Sequence, residues 1–181
     1  IRVRATDNKA KSTYDDFVLK INNGPTLKSS LPDLVWTENL SGAYSFPVTT
    51  FSDADGDTLT YSAALVGGGA LPAWLTFTPS TRTLAGTPPR KAASFNIRIT
   101  AKDTNGLIVY DDMIIKINNK PHVPGVLWDD KWNEGTPSVY TIPISYFQDI
   151  DGDVLTYSAT LTSGAALPAW MTFTPSTRTF A

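Results

Sequence analysis

The sequence predicts an all-β chain of tandem sandwich repeats, each about 96 residues long, and three observations predict it. The first is internal identity. Residues 70–85 read ALPAWLTFTPSTRTLA and residues 166–181 read ALPAWMTFTPSTRTFA, the same at 14 of 16 positions and offset by 96. The second is that the offset needs no gap. It carries FSDADGDTLTYSA at 51–63 onto FQDIDGDVLTYSA at 147–159, identical at 10 of 13, and carries residues 1–25 onto 97–121. The third is a period-two alternation of apolar residues broken by turn residues, with no capped helical stretch. A fixed repeat period of this kind is the signature of a serial architecture.

The local elements follow in order. Tyr44, Phe46 and Val48 alternate with smaller residues, as do Leu59, Tyr61 and Ala63, then Ile97 and Ile99, then Ile115 and Ile117. Gly67-Gly68-Gly69, Pro79-Ser80, Gly86-Thr87-Pro88-Pro89 and Thr104-Asn105-Gly106 punctuate those runs. About seven short strands with turns every 8–12 residues read as a two-sheet sandwich of immunoglobulin-like or cadherin-like size. Trp74, Leu75 and Phe77 are expected in its core and Trp36 on its first strand. Trp128 stands where the other copy has Pro32, so it is the aromatic expected to be exposed.

The phase of the repeat sets the expected boundaries. Asn22-Asn23-Gly24-Pro25 and Asn118-Asn119-Lys120-Pro121 act as linkers. Residues 1–25 read as the closing strands of a preceding repeat, 26–121 as a complete repeat, and 122–181 as the earlier strands of a following one. The sequence opens at Ile1 without a starter Met, which reads as a fragment or a processed product. An alternative is that residues 1–25 of one molecule complete 122–181 of another by strand addition.

Composition narrows the chemistry. The formal charge is −2 and the pI about 5.3, so no basic footprint for nucleic acid exists. No apolar run approaches the roughly 18 residues that span a bilayer. With no cysteine and one histidine, His122, disulfides, thiolate chemistry and a His-based triad have no basis. The acidic residues recur with the repeat, as a scaffold feature does. We therefore expect no enzyme.

One motif does carry chemistry. Asp53-Ala54-Asp55-Gly56-Asp57 returns as Asp149-Ile150-Asp151-Gly152-Asp153. Alternating carboxylates around a glycine turn offer hard oxygen ligands on a short arc, the donor set that Ca²⁺ prefers. It is not an EF-hand loop, which needs a glutamate at its twelfth position and flanking helices. The other reading is a solvated turn, since Asp and Gly form turns unaided. Asp103, in Ala101-Lys102-Asp103-Thr104-Asn105-Gly106, adds a carboxylate that could reach the same end of the sandwich.

In order, x-D-x-D-G-D-x-L-T-Y-S, L-P-x-W-L, T-R-T-x-x-G-T-P, A-x-D-x-x-G and I-x-I-N-N-x-P resemble the dystroglycan-type cadherin-like repeat, and also the related immunoglobulin-like repeats of large surface proteins. The resemblance covers the whole chain. It implies tandem immunoglobulin/cadherin-like Greek-key sandwiches outside the cell or at its surface, with Ca²⁺ at the junctions. Carried over by position, the first junction would use Asn22, Asn23, Asp53, Asp55 and Asp103, with Asp57 as an outer carboxylate. The second would use Asn118, Asn119, Asp149, Asp151 and Glu38, with Asp153 matching Asp57. This chain departs from cadherins in its neutral Asn-Asn linker and in Thr81-Arg82-Thr83, where they carry acidic residues. Fewer carboxylates imply fewer or weaker ions. The implied function is a structural or adhesive segment of a stalk, sheath or filament, with neighbouring repeats of the same or an identical chain as partners. A carbohydrate- or glycoprotein-binding module is the alternative, because exposed Trp and Tyr stack on sugars. Asn39-Leu40-Ser41 is a glycosylation sequon if the chain is secreted by a eukaryote.

Overall fold

The computed structural model describes residues 1–91 and 93–181. The described residues form fourteen strands and no helix. The strands are β1 (Arg2–Thr6), β2 (Ser12–Asp16), β3 (Thr26–Leu27), β4 (Leu34–Thr37), β5 (Gly42–Ser45), β6 (Phe51–Ser52), β7 (Thr60–Leu65), β8 (Leu75–Thr78), β9 (Thr83–Gly86), β10 (Ser94–Lys102), β11 (Ile108–Asn118), β12 (Tyr140–Thr141), β13 (Phe173–Thr174) and β14 (Thr179–Phe180).

Strands β3 to β11 build a two-sheet sandwich. One sheet has the order β4-β11-β10-β7 and the other β5-β9-β8, with β3 and β6 paired beside them. β10 is the hub of the first sheet. It pairs antiparallel with β11, where Ile97 faces Met113 and Ile99 faces Asp111, and with β7 on its other edge. β4 joins β11 in parallel, with Trp36 opposite Ile117.

Alternation decides what is buried. Ile97, Ile99 and Ala101 of β10 and Ile115 and Ile117 of β11 are fully shielded. Their odd-numbered spacing turns them to one face, as a period-two strand requires. The opposite sheet answers with Leu75 and Leu84, and Trp36, Phe46 and Phe51 close the layer. Trp74 and Phe77 are partly buried against this core, with Trp74 edge-on to Phe95 at 5.5 Å. The expected alternation through Val48 fails. β5 stops at Ser45, Pro47 opens a turn closed by the Thr50 N–H on the Pro47 carbonyl at 3.1 Å, and Val48 is exposed. Proline fits a turn and cannot donate to a ladder.

Polar ties fix the edges. Asp111 accepts the Leu31 N–H at 2.6 Å and Asp33 accepts the Ile114 N–H at 2.7 Å, locking the segment before β4 onto β11. On the outer face, the Arg98 guanidinium forks onto Asp112 at 2.7 and 2.8 Å and lies 3.7 Å from the centre of the Tyr110 ring. That hydrogen-bonded guanidinium holds the Asp112 carboxyl below the usual carboxylate range. A depressed folded-state pKa stabilises above the unfolded value and is lost as pH falls through the folded one. The pair is half-exposed, so its share is small. We expect Asp112→Asn to lower Tm by a degree or two at pH 7 and to leave Tm unchanged near pH 2, measured by circular dichroism across that range.

Residues 1–21 and 122–181 are organised differently from the sandwich between them. β1 and β2 pair only with each other, Arg2 opposite Asp16 through Thr6 opposite Ser12, and both are exposed throughout. In 122–181, β12-β14-β13 keeps the register of β5-β9-β8: Tyr140 faces Phe180 as Tyr44 faces Leu84. The His122–Gln148 bridge stands where Thr26 pairs with Ser52.

Candidate metal centre at the linkers

Each linker is tied to the acidic loop that follows it. The Asn23 N–H donates to Asp55 Oδ2 at 2.6 Å, and its side-chain amide reaches both oxygens of that carboxylate at 3.0 and 3.2 Å. Asn119 repeats this on Asp151, through its backbone N–H and through its amide at 2.9 Å. Within each loop the first aspartate folds the turn. Asp53 accepts the Asp55 N–H at 2.8 Å and Asp149 accepts the Asp151 N–H at 2.9 Å. The glycines complete the turn in the left-handed region, with φ of 79° at Gly56 and 77° at Gly152.

Around the first loop, Asp53, Asp57 and Asp103 bring carboxylate oxygens to within 4.8 Å of one another. Asp103 is 4% exposed and is held by its neighbours. It accepts the Asn22 amide at 2.8 Å and the N–H groups of Leu107 at 2.8 Å and Asn105 at 3.0 Å. Burial pushes its carboxyl up. The hydrogen bonds from Asn22 and from the Leu107, Gly106 and Asn105 N–H groups outweigh that and hold it below its ordinary value, so it is an anion at neutral pH.

Around the second loop, the mutually close carboxylates are Asp149, Asp151 and Asp153. Glu38 is not among them. It is 7% exposed and lies against the linker, accepting the Lys120 N–H at 3.1 Å, while its own N–H donates to the Asn118 carbonyl at 2.9 Å. Its second oxygen, Oε2, is buried without a hydrogen bond, 3.6 Å from the Arg90 guanidinium. Asn119 is 1% exposed and also clamps Lys91, donating to its carbonyl at 3.1 Å and accepting its N–H at 2.9 Å.

The first centre differs from the arrangement that the resemblance implies. Asp57, expected as an outer carboxylate, sits with Asp53 and Asp103, whereas Asp55 turns to the linker and spends both oxygens on Asn23. The Asn23 N–H and amide form a fork that matches the Asp55 carboxylate, although the same fork from Asn119 leaves Asp151 within the second group. Asn105 went unremarked as a single residue in the sequence. It bridges the site, donating to the Asn22 oxygen at 2.6 Å and to Asp57 at 3.3 Å. Its place in a Thr-Asn-Gly turn beside Asp103 was the available signal.

The donor set fits Ca²⁺. All candidate ligands are hard oxygens, and 4.8 Å is about twice a Ca–O distance, so one ion can touch all three carboxylates. Asp53 Oδ2 is buried with no hydrogen-bond partner, an unmet demand that a cation at this spot satisfies.

Two aromatic clefts lie in 122–181. One is lined by Leu127, Trp128, Trp132, Tyr140, Trp170 and Phe180, among others. At the 96-residue offset these positions are Leu31, Pro32, Trp36, Tyr44, Trp74 and Leu84, nearly all part of the sandwich core or packed against it. Trp128 is 87% exposed, as its mismatch with Pro32 predicts. Asn39 is exposed in a left-handed turn with φ of 56°.

No curated protein matches this chain. Among solved structures, the eight N-terminal Ig domains of Down Syndrome Cell Adhesion Molecule align with 99% of this chain and 25% of theirs, at 12% identity and a TM-score of 0.54. Cadherin domains 1–4 of Protocadherin Gamma B7 align with 89% of this chain and 54% of theirs, at 11% identity and a TM-score of 0.48. An endo-fucoidan hydrolase of glycoside hydrolase family 107 aligns with 88% of this chain and 29% of its own, at 20% identity and a TM-score of 0.45. The chain therefore spans about a quarter to a half of the length of these proteins, and the first likeness shows a shared sandwich fold. The Putative Ig domain family matches twice, over residues 24–118 and again over 127–181, and the chain belongs to that family.

Proposed function

We propose that this chain is a non-catalytic segment of an extracellular or cell-surface protein in which immunoglobulin-type repeats are joined end to end and stiffened by Ca²⁺ at their linkers, as in the dystroglycan-type cadherin-like repeats that its motifs resemble. The observation that carries the reading is the buried, unpartnered Asp53 Oδ2 inside the Asp53–Asp57–Asp103 group, beside a linker already bonded to the same loops. Three carboxylates this close repel in the absence of a counter-ion, and each charge is worth more away from bulk water. At the first linker, Asp53, Asp57 and Asp103 would hold the ion. Asn22 orients Asp103, Asn105 braces Asn22 and Asp57, and Asn23 anchors Asp55 to the linker. At the second, Asp149, Asp151 and Asp153 would do so, and Glu38 fixes the linker backbone through Lys120. When bound, the ion supplies charge neutralisation and a cross-link between loops. The residues by themselves supply an aligned linker. A chain of such junctions transmits tension or sets spacing, which is the work of a stalk, sheath or filament. The acidic balance gives no basic footprint for nucleic acid or for an anionic membrane.

The test is thermal unfolding in millimolar calcium and then in chelator. Binding to the folded state alone raises its stability by mass action, about 2.7 kcal/mol at a hundred times Kd. We expect Tm to rise by several degrees with calcium, and Asp53→Ala to abolish the rise. An unchanged Tm in calcium overturns the metal reading and leaves the loops as hydrogen-bonded turns.

A further inference from the structure

The sequence holds two Asn-Gly dipeptides, Asn23-Gly24 and Asn105-Gly106, and both fall at the first linker. At the second linker Lys120 stands where Gly24 would be. An asparagine before a glycine can lose its amide without an enzyme, because glycine has no Cβ to keep its backbone nitrogen from the side-chain carbonyl carbon. The reaction is intramolecular, so its rate depends on whether the fold lets that nitrogen and that carbon meet.

The fold treats the two pairs differently. At Asn23 the backbone N–H and the side-chain amide both donate to Asp55 Oδ2, at 2.6 and 3.2 Å. One oxygen thus holds the amide folded back over the residue's own nitrogen and away from that of Gly24. Gly24 is itself packed, since an added Cβ would lie 3.3 Å from the Leu107 Cβ. At Asn105 the backbone N–H and the amide part company. The N–H goes to Asp103 at 3.0 Å, while the amide donates to Asn22 at 2.6 Å and to Asp57 at 3.3 Å. Those amide bonds hold the nitrogen that would leave, not the carbonyl carbon that would be attacked. The attacking nitrogen is loosely tied: the Gly106 N–H reaches the Asp103 carbonyl only at 3.4 Å. Gly106 turns with φ of 99°, and an added Cβ there would meet only the end of Lys102, at 3.8 Å.

We propose that Asn105 is a site of spontaneous deamidation, and that its conversion turns the first linker site from amide-braced to charge-repelling. The Gly106 nitrogen loses its proton and bonds to Asn105 Cγ. The bond from Cγ to Nδ2 breaks, and the side-chain NH₂ leaves with that proton as ammonia, closing a succinimide ring. Water then opens the ring at either carbonyl and leaves aspartate or isoaspartate, with no oxidant or reductant. The product has no amide donor, so Asn22 and Asp57 lose their brace. A new carboxylate stands instead beside Asp53, Asp57 and Asp103, and like charges this close repel. The step does not depend on the calcium reading. Where an ion is bound, the added charge strengthens its hold, since affinity follows the charge of the ligands.

The 181-residue chain, kept in mildly alkaline heavy-oxygen water over weeks with calcium and with chelator, can be digested and mapped by mass spectrometry. Asn105 should convert to aspartate and isoaspartate carrying one heavy oxygen, faster at higher pH, while Asn23 keeps its amide. In denaturant, where the fork on Asp55 is gone, both should convert alike. The product is mimicked by Asn105→Asp, which should melt several degrees below the parent in chelator and regain most of that loss in calcium. Conversion at one rate in calcium and in chelator, with no regain by the variant, would support the proposal and count against the metal reading alone. An Asn105 amide that persists in the folded chain after the unfolded chain has converted would overturn the proposal. So would conversion of Asn23 ahead of Asn105 in the folded chain, or an Asn105→Asp variant that melts with the parent in chelator.

Discussion

Replacing Phe46 with alanine is expected to cost about 3–5 kcal/mol, the range for truncating a buried aromatic. The side chain is 2% exposed and sits at the meeting point of three aromatic rings. Phe51 and Tyr61 approach edge-on with centroids at 5.8 and 5.4 Å, and Phe77 stacks at 6.3 Å. Alanine removes those contacts and leaves a void that the two sheets cannot close, because Ile97, Ile99 and Ile115 on the far side are already packed. A domain of this size holds about 5–15 kcal/mol in all. Tm for the sandwich should therefore fall by more than about 12 °C, read by circular dichroism. The chain supplies its own control: Ile142 occupies the same position in 122–181 and is 6% exposed. Phe46→Ile keeps most of the volume and should cost far less, about 1–2 kcal/mol. A Phe46→Ala loss under about 1 kcal/mol would mean that the aromatic cluster does not support the sandwich.

The fate of two nearly identical segments shows what could be read in the sequence and what could not. Period, turns and inward residues were all legible, because each depends on local pattern: Ile97 and Ile99, Trp36, Leu75 and the glycine turns fall where alternation and punctuation put them. The acidic loops were legible as loops for the same reason. Pairing was not. Leu59–Ala63 and Leu155–Ala159 share five residues, but only the first builds a strand, since β10 is there to receive its hydrogen bonds. The parallel seat of β4 on β11 is equally non-local. It depends on Asp33 and Asp111, whose partners lie 81 and 80 residues away.

The same distinction governs the candidate metal centre. The sequence grouped these loops, and the fold brings Asp53 and Asp103 together. Which of Asp55 and Asp57 joins them depends on a competition that composition cannot reveal. Asn23 holds Asp55 while Asp57 faces Asp103 across Asn105, whereas Asn119 holds Asp151 in the same way and Asp151 stays in the second group. A neutral Asn-Asn linker thus has a positive role. Its amides both donate to and orient carboxylates, which an Asp-Asp linker at neutral pH could not do. Rigidity at the linker then comes partly from these hydrogen bonds and partly from any ion.

Gly86→Ala is the second large effect expected, and it explains a glycine that motif reading alone leaves as punctuation. Gly86 closes β9 opposite Leu75, where the two strands approach so tightly that an added Cβ would lie 2.0 Å from the Trp74 carbonyl oxygen and 3.1 Å from the Leu75 Cα. Both atoms belong to the backbone, so no rotamer change relieves the clash. β8 and β9 must move apart, and the move reaches Leu75 and Leu84, at 3% and 0% exposure, together with the Trp36–Trp74 contact at 6.0 Å. Overpacking that shifts backbone costs about 1–3 kcal/mol, and the loss of ladder hydrogen bonds adds to it. We expect about 3 kcal/mol from denaturant midpoints, with tryptophan emission shifted to the red as Trp36 and Trp74 gain water. Gly69→Ala separates this from a general intolerance of alanine: its Cβ would meet only the Leu65 side chain, at an ordinary 3.6 Å. That variant should stay within about 0.5 kcal/mol of the parent. Equal stability of the Gly86 and Gly69 variants would show that the spacing of β8 and β9 yields readily, and the glycine in the repeated Thr-Arg-Thr-x-x-Gly stretch would then need another explanation.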